Sequence, residues 1–213
     1  MSTALERACA ALETPVQSIC AALASRRKDG QAPGRILFAS PRHGDGTTTV
    51  AACTAVALHR NLRTPVALVE ANPFSPALSA YAGCPPTPGF AEVLREEVAG
   101  DQVLRESLVL GLSLVPAGSL RAAELIDWRG PKARALLEDG LRAFPFALID
   151  VPPLLDRPVG RLLFEFGDLA VLVVRAGVTT KPDARAALQV LGDSGVPLAG
   201  VVLNRFKKPL SFS

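Results

Sequence analysis

The stretch at residues 36–50, ILFASPRHGDGTTTV, constrains the fold of this chain more than any other. An apolar run suited to a buried strand leads into a loop with Gly44 and Gly46, and a helix-like segment follows. Glycines let the backbone turn tightly so that successive N–H groups point at one anion, and the dipole of the new helix adds to the attraction. The order of strand, glycine loop and helix is therefore typical of a phosphate-binding P-loop.

The loop departs from the P-loop pattern at two positions. The pattern GxxxxGK[ST] places a lysine on the phosphates and a Ser or Thr on Mg²⁺. Here Thr47 occupies the lysine position, Thr48 and then Thr49 follow it, and Pro41 replaces the first glycine. A charged hydrogen bond contributes about 1.5–3 kcal/mol, so we expect the missing lysine to weaken phosphate binding about ten- to a hundredfold.

Composition excludes several classes of protein. The 213 residues are 49% hydrophobic, which suits one α/β domain, and the net charge of +3 without a long basic block does not imply nucleic acid. No apolar run reaches the roughly 18 residues of a membrane span, and Glu6, Arg7 and Glu13 interrupt the start of the chain. We expect a cytoplasmic protein. Its four cysteines lack CxxC spacing, which favours reduced, mostly buried thiols over a zinc site or disulfides.

Short apolar runs alternate with helical patterns along the chain. Strands are predicted at 35–40, 65–70, 113–116, 146–151, 169–175 and 198–204, and helices at 4–25, 47–60, 90–98, 131–143, 154–166 and 182–193. Continuously apolar strands are buried on both faces, so we predict an α/β fold with a mainly parallel sheet and helices on both sides. We divide the chain into an N-terminal helix and linker, 1–34, and an α/β domain, 35–213.

Five further segments, in order, carry a resemblance to a known family. They are VALVEANPFSPALSAYAG (66–83), PTPGFAEVL (86–94), LSLVPAGSLRAAELI (112–126), FALIDVPPLL (146–155) and GVVLNRF (200–206). With the glycine loop, this series resembles the bacterial tyrosine kinases (BY-kinases) of capsule and exopolysaccharide assembly. These are cytoplasmic P-loop domains related to the MinD and ParA class of ATPases, and they act beside a membrane polysaccharide co-polymerase.

The resemblance implies roles for individual residues. It places the catalytic carboxylates of the second motif at Glu70 and Asn72 and the Walker B aspartate at Asp150. It implies that Thr48 and Asp150 hold Mg²⁺. The nucleotide-binding positions that it implies are Arg42, His43, Gly44, Asp45, Gly46, Thr47, Thr48, Thr49, Asn204 and Arg205.

Several of these positions differ from the family pattern. Arg42 falls where the MinD class has a second lysine, and it could supply the missing cation. Glu70 is one methylene longer than the usual aspartate, and Asn72 is neutral and cannot act as a base. Both also fit a purely structural role. The family phosphorylates a tyrosine-rich tail, whereas Tyr81 is the only tyrosine here. The ring-forming positions of the family's first helix read Thr14, Gln17 and Cys20.

Because several functional positions have changed together, we predict a degenerate kinase, or pseudokinase, that works as a cytoplasmic partner of the co-polymerase and reaches the inner membrane through it. The resemblance implies ATP and Mg²⁺ as cofactors and self-assembly into a homo-oligomer, and the threonine at position 47 predicts weak nucleotide binding or none. Two alternatives stay open. One is a working ATPase or tyrosine autokinase in which Arg42 replaces the lysine, and the other is a positioning ATPase of the MinD type.

Overall fold

The computed structural model describes residues 4–26, 34–107, 112–121 and 127–206, and its strands form one seven-stranded sheet. The sheet order is β3-β4-β2-β5-β1-β6-β7, and every neighbouring pair is parallel except β3 with β4. The prediction of a mainly parallel sheet is confirmed. The strands are β1 Gly34–Ala39, β2 Val66–Glu70, β3 Arg105–Ser107, β4 Leu112–Val115, β5 Phe146–Asp150, β6 Leu169–Arg175 and β7 Leu198–Asn204.

Helices cover both faces of the sheet because its central strands are apolar on both sides. Along β1, Ile36 and Phe38 face one buried layer, which also contains residues of α2 and α3, whereas Leu37 and Ala39 face the other. No helix in the described part of the chain is long and apolar enough to cross a membrane. The helices are α1 Ala4–Ala11, α2 Glu13–Ser25, α3 Thr47–Leu62, α4 Leu78–Ala82, α5 Phe90–Leu94, α6 Pro131–Arg134 and α7 Lys181–Ser194.

The structure differs from the sequence prediction in several elements. Helix α4 is additional, the helix predicted at 90–98 ends at Leu94, and the helix predicted at 131–143 continues after Arg134 as a π helix, Ala135–Gly140. The opening helix is two helices, α1 and α2, because Pro15 has no N–H to continue the bonding pattern of the preceding turn. Strand β3 is additional, and its three residues pair antiparallel with β4 at the edge of the sheet. The segment predicted as a helix at 154–166 becomes a 3₁₀ helix, Pro158–Phe166, that starts at a proline.

The segment GFAEVL, which contributed to the resemblance, has a packing role. A side chain at Gly89 would place its Cβ 2.3 Å from the carbonyl oxygen of Pro116, so only glycine allows this close approach of two loops. The Glu92 carboxylate accepts hydrogen bonds from the backbone N–H of Gly89 at 2.7 Å and of Ser119 at 3.0 Å. These contacts fix α5 against the loop that follows β4.

Candidate functional site

A small cavity lies at the carboxyl end of the sheet, between the glycine loop and the ends of β2 and β5. In parallel α/β sheets this edge is where ligands bind. The volume of about 130 Å³ is well below the roughly 300–1,000 Å³ of pockets that enclose a whole ligand, so this space suits phosphates and a cation rather than a complete nucleotide. Its lining is Ser40, Arg42, His43, Gly44, Gly46, Thr47, Thr48, Thr49, Asn72, Ser75, Ala77, Tyr81, Val151 and Pro153.

The glycine loop has the backbone shape that its sequence predicts. Gly44 and Gly46 adopt φ of 84° and 93°, in the left-handed region that favours glycine, and α3 begins directly after them at Thr47. A Cβ on Gly46 would come within 2.2 Å of the Asn204 amide nitrogen. The loop therefore needs glycine both for its conformation and for its packing.

Two predicted nucleotide-binding residues hold this loop in place. Asp45 is 1% exposed, and its carboxylate accepts hydrogen bonds from the backbone N–H of Arg42 at 3.0 Å and from the Thr179 hydroxyl at 2.8 Å. The Asn204 amide donates to the carbonyl oxygen of Asp45 at 2.8 Å. Asp45, Asn204 and Arg205 are not among the residues that line the cavity, and the first two instead join the loop to the ends of β6 and β7.

Arg42 lines the cavity, but its guanidinium is already paired. Nη1 donates to Asp156 and Nη2 to Asp183, each at 2.9 Å. The backbone N–H of His43 donates to the same Asp156 at 2.6 Å. Two carboxylates thus offset the charge of the side chain that the sequence offers as a substitute for the lysine.

Thr48 and Asp150 come together as the predicted metal pair. The Thr48 hydroxyl donates a hydrogen bond to Oδ2 of Asp150, which is 1% exposed. Burial raises the pKa of Asp150 to about 8; the hydrogen bond from Thr48 opposes this rise and the Glu70 carboxylate adds to it.

The oxygen atoms around Asp150 are of the kind that Mg²⁺ prefers as ligands. Oδ1 of Asp150 and Oδ1 of Asn72 are both buried without a hydrogen-bond partner. Mg²⁺ prefers oxygen ligands and is usually held by one or two carboxylates together with substrate phosphates. Thr48, Asp150 and Asn72 would hold the ion, which would neutralise phosphate charge when bound. We infer that the polar part of the site still suits a hard cation.

Glu70 lies beside Asp150 across the β2–β5 pair, but its carboxylate is directed to backbone groups. Oε1 accepts from the N–H groups of Ala77 at 2.6 Å and Leu78 at 2.9 Å, and Oε2 accepts from Ala117 at 3.3 Å. Glu70 is fully buried and is absent from the cavity lining, whereas Asn72 lines it. Of the two roles open to Glu70, these contacts favour the structural one.

Residues that the sequence motifs did not assign to the site also lie near it. Tyr81 lines the cavity, with its hydroxyl 3.4 Å from that of Thr49. Thr179 fixes Asp45, and Thr180 caps the N-terminus of α7 by accepting from the N–H of Asp183 at 3.2 Å. The cap had a signal, because Thr-x-x-Asp ahead of a helix is a capping pattern. No pattern in the sequence indicates the contact between Asp45 and Thr179.

A second cavity, of about 480 Å³, lies near the amino ends of β2 and β4 and is lined in part by His59, Arg63 and Glu106. Among the described residues, none of its lining side chains has a buried polar atom without a partner. It is distant from the strand ends where α/β sheets bind ligands, so we do not assign the function to it.

Comparisons with known proteins identify relatives of this chain. No family model matches the sequence. Tyrosine-protein kinase YwqD of Bacillus subtilis is 26% identical over 171 residues, which cover 79% of the chain and 71% of YwqD. Tyrosine-protein kinase ptk of Acinetobacter johnsonii is 25% identical over 145 residues, which cover 67% of the chain but only 20% of ptk. The chain therefore spans about a fifth of this longer relative.

Solved structures show the same fold. The BceF tyrosine kinase domain has a TM-score of 0.73 at 25% identity, with 92% of the chain and 76% of the domain covered. The septum site-determining protein MinD of Pyrococcus horikoshii, solved with Mg-ADP, has a TM-score of 0.69 at 23% identity and covers 81% of the chain and 70% of MinD. The chain is thus a relative of the bacterial tyrosine-protein kinases and has the MinD-like P-loop fold.

Proposed function

We propose that this chain is a degenerate member of the capsule and exopolysaccharide kinases, one that keeps the phosphate cradle but transfers no phosphoryl group. The observation that carries the proposal is the charge of the cavity. Its described lining contains no lysine, Thr47 stands where the family has one, and Arg42 is paired with two carboxylates. The cradle offers backbone N–H groups and a helix N-terminus to an anion, and its described lining includes neither a lysine nor an arginine without a carboxylate partner.

Phosphoryl transfer depends on positioning and on stabilising charge in the transition state. A neutral Asn72 cannot take the proton of an attacking hydroxyl, and Glu70, the other residue of the second motif, is held by three backbone N–H groups. Tyr81, the only tyrosine, lies at the cavity wall, near the start of the P-loop helix. The neutral Asn72 and the backbone-bound Glu70 support a protein without autokinase activity.

In the proposed role the chain binds a membrane polysaccharide co-polymerase on the cytoplasmic side of the membrane. It also assembles with copies of itself. The resemblance to the capsule and exopolysaccharide kinases supports this role. A binding partner needs the fold and its surface rather than the metal carboxylate. In the organism that encodes the chain, deletion should therefore lower polysaccharide output, whereas Asp150→Ala in a folded protein should leave output close to normal.

Calorimetric titration of the purified chain with ATP and Mg²⁺ tests the central claim. We expect a dissociation constant about ten- to a hundredfold weaker than that of a P-loop that keeps its lysine, since loss of one charged hydrogen bond corresponds to that factor in affinity. Micromolar binding would contradict the proposal. A matched Arg42→Ala variant then shows whether the arginine supplies the cation, because it should abolish such binding if it does.

A second candidate function is a nucleotide-binding switch or ATPase that still uses Mg²⁺. The unpartnered oxygens of Asp150 and Asn72 favour it, because a hard cation would satisfy both. The two candidates differ in the titration and in the cell. The second candidate requires micromolar binding of ATP. It also requires that Asp150→Ala lower polysaccharide output as much as the deletion does.

A further inference from the structure

Two cysteines from distant parts of the sequence meet beneath the N-terminal helix. Cys9 is in α1 and Cys53 is in α3, the helix that starts at the glycine loop. They are 44 positions apart, and their sulfur atoms are 2.8 Å from each other. None of the four cysteines is in a disulfide. The spacing gave no indication that two of them are in contact.

The position of the pair suits reversible bond formation. A disulfide bond has an S–S length of about 2.05 Å, so the two sulfurs need to approach by roughly 0.8 Å. Cys9 is half-buried and can meet a small oxidant, whereas Cys53 is 2% exposed. We propose that Cys9 and Cys53 form a reversible disulfide that fastens α1 to the P-loop helix α3.

The chemistry balances with a peroxide as the oxidant. The Cys9 thiolate attacks one oxygen of hydrogen peroxide, the O–O bond breaks, and hydroxide leaves as water, which gives a sulfenic acid on Cys9. The Cys53 sulfur, after losing its proton, attacks Cys9 Sγ; the S–S bond forms, the S–O bond breaks and a second water leaves. Two thiols thus lose two electrons and two protons, and a dithiol reductant reverses the bond by exchange.

The surroundings assign the first step to Cys9. The Cys9 thiol and burial both raise the pKa of Cys53 far above the ordinary range, so Cys53 is a poor nucleophile toward an external oxidant. It becomes effective when the sulfenic acid forms in contact with it. Cys20 lies at 4.0 Å from the carbonyl oxygen of Thr54, and burial raises its pKa to about 11, so it competes weakly.

The disulfide would act on the N-terminal helix. Helix α1 packs side chains against α3, and the turn at Leu12 leads from it into α2. A bond between Cys9 and Cys53 closes a long loop of chain, which stabilises the folded state chiefly by restricting the unfolded one. Oxidation should therefore keep α1 on the helix whose first turn carries Thr47 and Thr48.

The test uses the full chain, treated with hydrogen peroxide, alkylated and digested for mass spectrometry. We expect a Cys9–Cys53 linked peptide, a loss of two mass units in the intact protein, and reversal by dithiothreitol. The melting temperature should rise by about 5 °C or more. Amide exchange across residues 4–11 should also slow by about tenfold or more. Cys84→Ser, which leaves the pair intact, should behave as the original chain.

Cys9→Ser, at the half-exposed position, should lose both the linked peptide and the thermal shift while it folds normally. Cys53→Ser is a second variant, to be read only if its unoxidised form melts cooperatively. A linked peptide between Cys9 and another cysteine, further oxidation of Cys9 without a link, or no reaction of Cys9 would each overturn the proposal. None of these measurements depends on nucleotide binding.

Discussion

Replacing Glu70 by alanine tests whether this carboxylate supports the fold rather than the chemistry. The side chain accepts hydrogen bonds from Ala77, Leu78 and Ala117, at distances of 2.6, 2.9 and 3.3 Å. The first two N–H groups belong to the loop after β2 and the start of α4, and the third to the loop after β4. Without Glu70, all three donors lose their acceptor at a site where the side chain is fully buried.

The expected magnitude follows from these contacts. A buried donor left without a partner costs about 1–3 kcal/mol, which gives roughly 3–9 kcal/mol for three. Part of this cost is offset. Burial raises the pKa of Glu70, which shows that the native protein bears the cost of desolvating the carboxylate, and the alanine variant no longer bears it. We expect a net loss of about 3–5 kcal/mol in the free energy of unfolding. For a chain of this size that lowers the melting temperature by about 10 °C.

Urea unfolding and thermal melts of Glu70→Ala measure this loss, with Glu106→Ala as the control for removal of an exposed carboxylate. The control should melt within about 2 °C of the original chain. Glu70→Asp, which restores the family residue, should also destabilise because the shorter side chain withdraws from the N–H groups, and it should produce no kinase activity. A Glu70→Ala protein as stable as the control would refute the structural role.

Three other results are expected. The pKa of Asp150 near 8 means that the folded protein keeps a proton that the unfolded chain has released, so this stability is present at acid pH and is lost as pH rises toward 8. In metal-free buffer, the free energy of unfolding of the original chain should fall by about 3 kcal/mol more than that of Asp150→Asn between about pH 6 and pH 9. Urea titrations at each pH measure it, and equal falls in the two proteins would contradict this expectation. Thr47→Lys should raise ATP affinity about ten- to a hundredfold in calorimetry, and neutral Thr47→Met should not, so equal gains would exclude the charge as the cause. Incubation with ATP and Mg²⁺ should leave Tyr81 without phosphate, which mass spectrometry detects directly.

The sequence predicted the sheet well because its central strands are buried on both faces. A run such as 146–150, FALID, has few other ways to fold than as a central strand. Strand β3 was missed because RES is short and polar, and it pairs only where the chain returns beside β4. The break between α1 and α2 had a signal in Pro15, but the apolar pattern on both sides of it favoured one continuous helix.

The candidate site was predicted in its local parts and not in its long-range ones. Gly44, Gly46 and Thr48 follow from local motif chemistry, and the structure places them around the cavity. The contacts of Asp45 with Thr179, and of Glu70 with the loop after β4, join positions far apart in the chain. Nothing in the local sequence distinguishes a carboxylate that faces phosphates from one that faces backbone N–H groups.

The ion pairs of Arg42 at the rim of the cavity are exposed, whereas the contacts that hold the glycine loop from behind are buried. At the rim, the two ion pairs join the glycine loop to the segment after β5 and to the start of α7, and the arginine side chain is 48% exposed. Asp45 and Asn204, which hold the glycine loop but do not line the cavity, are buried. Added salt screens exposed charges, with a Debye length that shrinks from about 10 Å at 0.1 M to 3 Å at 1 M, but it hardly reaches buried contacts. Ionic strength should therefore set how readily small anions exchange at the mouth of the cavity, while the loop beneath keeps its shape.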